Sequence, residues 1–174
     1  MKFRGTESLG LATFCLLAAG AAGQNASGDP YAPLRLYEGS WEVHVTAPAK
    51  KTDKIVNHCA KTGTFFSCEQ EVNGKTTALV VFLPTGKTTS GAQEYRMQAL
   101  QPDASAPQDW SQLVIDGDTW LYSWDSKEAG KTTHWRNTNH FTGKDQIHFE
   151  LQSSEDGSTW KTQLAGEEKR VSTS

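Results

Sequence analysis

The sequence predicts an all-β protein: a single antiparallel meander of roughly eight to ten strands, closed or nearly closed into a barrel. Three observations predict it. Short runs such as TWLYSW and QIHFELQ alternate apolar and polar residues with a period of two. Turn-forming clusters, DGD, TGKD and SSEDGS, separate these runs at close spacing. No stretch of about twelve residues carries a helical apolar period. A meander has two edge strands to manage, and closure removes them, while alternation gives one face to the interior and one to solvent. A two-sheet sandwich is the competing architecture, since strand periodicity is common to both.

The chain has 174 residues and a formal charge of -3. Residues 1–23 read as a secretory signal peptide: Lys2 and Arg4 precede the apolar LGLATFCLLAAGAAG, which ends in small residues. That run is too short and too rich in Gly and Ala for a membrane span. Cys15 lies inside it, not after a cleavage site, which argues against a lipid anchor there. With the leader removed the charge becomes about -4 and roughly 150 residues remain, enough for one domain. The expected destination is secreted or periplasmic. Residues 24–33 read as a flexible, polar lead-in and 34–174 as the barrel. Asn25-Ala26-Ser27 matches a glycosylation acceptor but carries no functional weight beside the cleavage site.

The elements follow in order. LRLYEGSWEVHVTA gives a short first element and a strand with Trp41, Val43 and Val45 on one face; Gly39 permits a tight bend. KIVNHCA and FFSCEQEV form the next pair, and ALVVFL (78–83) is a central strand ended by Pro84 and Gly86. GAQEYRMQAL alternates Tyr95, Met97 and Ala99 against polar neighbours, and QPDASAP (101–107) is a loop. DWSQLVI and TWLYSWD flank the DGD turn, then THWRNTNHF and QIHFELQ flank TGKD. TWKTQLA (159–165) completes the last hairpin after SSEDGS. Cys59 and Cys68 bracket a reversal near Thr62–Gly63, a spacing that permits a disulfide in an exported protein.

Six tryptophans are many for such a chain. Trp120, Tyr122 and Trp124 share one strand face, which either fills the barrel or lines a pocket with apolar area and polar ring edges. On the next strand His134, Arg136, Thr138 and His140 share one parity, and Trp135, Asn137, Asn139 and Phe141 the other. The first set either faces solvent or supplies polar groups to a ligand inside the barrel. The candidate ligand-binding residues are therefore Trp120, Tyr122, Trp124, His134, Arg136 and His140. His148 shares its parity with Gln146 and Glu150, opposite Ile147, Phe149 and Leu151, which places it outside.

Other functions lack support in the sequence. There is no basic tract for nucleic acid. HExxH and compact Cys/His ligand sets are absent, so no metal site is expected. Neither a GxSxG elbow, a P-loop, a dinucleotide Gly-rich turn nor a CxxC pair occurs. Asp116, Asp118, Glu155 and Asp156 are accounted for by turns. A non-enzymatic protein is expected.

YEGSWEV, DGDTWLYSW, THWRN and FTGKDQIHFELQSSEDGSTWKT together resemble secreted bacterial proteins of a lipocalin-like, or calycin-like, β-barrel family of poorly characterised function. The resemblance spans most of residues 34–171. It implies that Gly39 and Trp41 form the Gly-x-Trp element near the closed end, and that Trp160 packs where the last strand begins. Related barrels include carriers of small apolar molecules and a haem-binding branch that uses a late histidine, for which His140 and His148 are both available. The expected function is binding of a small, apolar or amphipathic ligand. The alternatives are a filled structural or protein-interaction barrel, and a haem protein.

Overall fold

The computed structural model describes residues 28–88, 90–103 and 109–171. The expected signal peptide, Cys15 and the Asn25 acceptor lie outside the described residues. Ten strands follow one another: β1 Gly39–Ala47, β2 Lys51–Thr62, β3 Phe65–Val72, β4 Lys75–Lys87 and β5 Gln93–Leu100, then β6 Ser111–Asp116, β7 Thr119–Glu128, β8 Lys131–Phe141, β9 Gln146–Ser154 and β10 Lys161–Val171. Each pairs antiparallel with its chain neighbours, and β1 pairs with β10, from Ser40 opposite Val171 to Ala47 opposite Ala165. The sheet is thus a closed barrel, not a sandwich. No helix among the described residues is long and apolar enough to cross a membrane.

Turn chemistry sets the register. Asn73 and Gly74, between β3 and β4, take φ of 52° and 77°, as a tight two-residue hairpin requires. Cys59 and Cys68 stand opposite each other in the β2–β3 register and are joined by a disulfide. Two strand limits differ from the sequence reading. β4 continues past Pro84 to Lys87, because a register shift between Pro84 and Gly86 absorbs the residue that cannot donate a backbone hydrogen bond. β10 runs six residues beyond the expected Ala165, after an irregularity between Thr162 and Leu164 resets its alternation.

One end of the barrel is packed shut. Trp41, Phe66, Tyr95, Leu113, Trp120 and Ile147 are almost inaccessible there, and a short 3₁₀ helix, Pro33–Tyr37, adds Leu34 to the same core. Full burial of a side chain such as Phe66 stabilises the fold by about 1.5–3 kcal/mol. Phe141 joins Trp120 and Trp41 at centroid distances of 4.7 and 6.5 Å. The described part of the lead-in makes contacts with this end. Tyr31 is buried, stacks on Phe66 at 5.4 Å and donates its hydroxyl to the Thr64 carbonyl, while Tyr95 donates to the Pro30 carbonyl.

Arg170, on β10, fastens the 3₁₀ helix to this end. Its guanidinium lies 4.2 Å over the Trp41 ring and donates to the carbonyls of Leu36 and Glu38, each at 2.6 Å. Gly39, at φ +110°, leaves room for it: a Cβ there would lie 3.0 Å from Arg170 Nη1. Trp41 in turn donates its indole N–H to the Tyr37 carbonyl at 3.0 Å. The Tyr37 ring is thereby held over the closed end.

Candidate functional site

Above the packed end the barrel is hollow. A cavity of about 540 Å³ runs through the lumen, walled by Val43, Val45, Ile55, Val80, Phe82, Met97, Phe149 and Leu164 and bordered by Tyr122 and Trp124. Polar groups also line it: Tyr37, Asn57, Gln70, Asn137, Asn139 and Glu168. An apolar cleft with a few converging polar groups is the usual form of a small-molecule site.

Glu168 comes from β10, where its register partners are Val43 on β1 and Ile147 on β9. That register places it on the inward face, and only 5% of it is exposed. Asn57, on β2, is 2% exposed. The Tyr37 hydroxyl stands near both. Even so, Glu168 Oε2 and Asn57 Nδ2 have no hydrogen-bond partner. Burying an unpaired donor or acceptor costs roughly 1–3 kcal/mol each, so a water or a polar ligand group that reached these two atoms would be stabilised there.

Burial governs the electrostatics of this floor. Desolvation pushes the Glu168 carboxyl up to about 7, and the Tyr37 hydroxyl offsets part of that rise. Tyr37 itself is pushed well above the usual phenol range, first by burial and then by the charge of Glu168. Tyr122 moves in the same direction for the same two reasons.

The six sequence-derived candidates divide between the two faces. Tyr122 and Trp124 line the lumen, and Trp120 lies beneath it in the packed core. On β8 the lumen-facing parity is that of Asn137 and Asn139, which are bonded Nδ2 to Oδ1 at 2.7 Å. His134, Arg136 and His140 have the opposite parity and face outward, so the expectation that they orient a ligand inside is corrected. Arg136 lies 4.0 Å over the Trp160 ring and donates to Gln152; His140 contacts Thr119, and His134 is 2.7 Å from Asp125. Those partners satisfy the polar side chains on the outer wall. His148 is exposed, as its parity indicates.

His134 and Trp124 also border a second concavity, of about 760 Å³, at the rim beside Trp110, Trp135 and Trp160. It is larger than the lumen, but none of its lining side chains has a buried polar atom without a partner among the described residues; His134 is paired with Asp125, and Trp135 Nε1 with Ser126 Oγ at 2.9 Å. Trp124 and Trp135 stack on each other there at 6.1 Å. The lumen, whose floor has unpartnered groups, is the stronger candidate.

Among the described residues the lining of the lumen contains no histidine, so neither His140 nor His148 is placed there as a haem ligand. Among the described residues no group of three or more His, Cys, Asp or Glu side chains could hold a metal ion. Sequence reading missed Glu168, Asn57 and Tyr37. Comparison with models of known protein families gives no match, and comparison with curated proteins gives none either. The closed antiparallel barrel agrees with calycin- and lipocalin-type folds in general.

Proposed function

We propose that the protein is a secreted or periplasmic, non-catalytic binder of a small, partly apolar ligand held in the barrel lumen. The observation that carries this reading is the pairing of an apolar cavity with two buried polar atoms, Glu168 Oε2 and Asn57 Nδ2, that no protein group satisfies. A barrel serving only as a structural module gains nothing from a hollow interior with a desolvated carboxyl. The resemblance of the sequence to exported barrel proteins, with its leader-like first 23 residues, supports the location.

The test uses the chain without residues 1–23, purified under oxidising conditions. Nile red, a neutral apolar dye, is expected to bind with enhanced emission and to be displaced by 1-decanol. Native mass spectrometry of the same preparation looks for a co-purified ligand. The Ala99→Trp variant, which places a large ring on the lumen wall, is expected to lose dye binding while keeping a cooperative thermal transition. Dye binding unchanged in that variant, or absent from the parent protein, refutes the lumen as the site.

A further inference from the structure

The acidic floor has no counter-ion. Among the described residues no lysine, arginine or histidine forms an ion pair with Glu168, while each of the ten ion pairs present lies elsewhere. The cation among the lumen-lining residues, Lys51, is exposed and sits 2.7 Å from Asp53 of the same strand. The groups facing Glu168 from the other elements are uncharged: Val43 from β1, Ile147 from β9, Tyr122 from β7 and Tyr37 from the 3₁₀ helix. On β10 itself Arg170 shares the face of Glu168, but its guanidinium is engaged by the Trp41 ring, the Leu36 and Glu38 carbonyls and Asp145. A ligand carboxylate or phosphate placed there would meet a like charge or a desolvated acid. A ligand cation would supply the missing charge, in a medium where such a pair is much stronger than in water. Asn57 Nδ2 adds a donor that needs an oxygen acceptor.

Taking the lumen as the binding site, we propose that its ligand class is the amphiphilic amino alcohol: a primary ammonium donating to Glu168 Oε2, a neighbouring hydroxyl oxygen accepting from Asn57 Nδ2, and an alkyl chain lying along Val43, Val80, Met97 and Phe149. The walls are chemically unselective among chains of similar size, so discrimination rests on the floor. A desolvated carboxyl also makes the selection depend on pH, because binding an ammonium requires the carboxylate.

The experiment compares 2-aminodecan-1-ol, decylamine, 1-decanol and decanoic acid by Nile red displacement and calorimetry. At about pH 8 the amino alcohol is expected to bind at least about tenfold more tightly than 1-decanol, because it alone of the two places a cation beside the carboxylate. Decylamine should fall between them, and the acid should bind worst. That preference should shrink on going to about pH 5, as Glu168 takes up its proton. The E168Q variant should lose the amine preference yet still take up the dye; if it does not fold, the pH profile of the parent protein decides. Equal binding of all four head groups, or tightest binding of the acid, overturns the amino-alcohol assignment while leaving a lumen carrier intact. Absence of dye and alcohol binding overturns both.

Discussion

The E168Q substitution tests the central electrostatic claim without any ligand. In the folded protein burial penalises the charge of the Glu168 carboxyl and pushes it up to about 7, from an ordinary value of 4.5. Between those two values the folded state holds a proton that the unfolded chain has released. Stability therefore falls as pH rises through that window and levels off above about 7. Once both states are ionised, the burial penalty amounts to about 3 kcal/mol. The variant carries no charge at any pH, so it should match the parent protein near pH 4 and exceed its stability by up to about 3 kcal/mol near pH 8. Urea denaturation of both proteins across this range, without reductant, measures the difference directly. The other titrating groups cancel in the comparison, since they are common to both chains. Parallel stability curves would show that the carboxyl is solvated, and with that the argument for an unpartnered acidic floor fails.

The remaining predictions concern the scaffold. Gly166 lies opposite Phe149 in the β9–β10 register, and a Cβ there would come within 2.3 Å of the His44 carbonyl oxygen and 2.8 Å of Phe149 Cζ. Gly166→Ala should therefore destabilise by about 1–3 kcal/mol, read as a lower denaturation midpoint; an unchanged midpoint would mean that β1 and β10 are further apart than described. Replacing both Cys59 and Cys68 by serine frees the β2–β3 hairpin in the unfolded chain and should cost about 2–3 kcal/mol, measured against the oxidised parent.

Much of the fold was legible in the sequence. The alternation in TWLYSW and QIHFELQ, with DGD and TGKD between runs, led directly to consecutive antiparallel strands. The parity of Trp120 and Tyr122 followed from the same period. On β8 the signal was divided: Trp135 and Phe141 are apolar, but Asn137 and Asn139 between them are not. The structure resolves this because Asn137 Nδ2 donates to Asn139 Oδ1, a bond that helps an otherwise polar pair join the inward set. The acidic floor was hidden for a different reason. Glu168 lies beyond the expected end of the last strand, in GEEKR, where glutamate ordinarily signals solvent exposure. The irregularity between Thr162 and Leu164 shifts the alternation, so counting by twos from Trp160 does not reveal which face Glu168 takes. Asn57 and Tyr37 carry no local pattern; they become a site only through closure of the barrel.

Closure and site are one structural event. Tyr37 and Asn57 come from the first part of the described chain and Glu168 from its last strand, and the β1–β10 pairing brings them together. Arg170, two residues after Glu168 on the same face of β10, holds that end by covering Trp41 and bonding the carbonyls of Leu36 and Glu38. A one-residue slip of β10 would turn Glu168 outward and carry Arg170 away from Trp41 at the same time, because both share one parity. The interactions that fix the closing register thus also fix the orientation of the buried acid. Their energy offsets the cost of holding a desolvated carboxyl without a counter-ion in the lumen, and a cationic head group would relieve that cost when it binds.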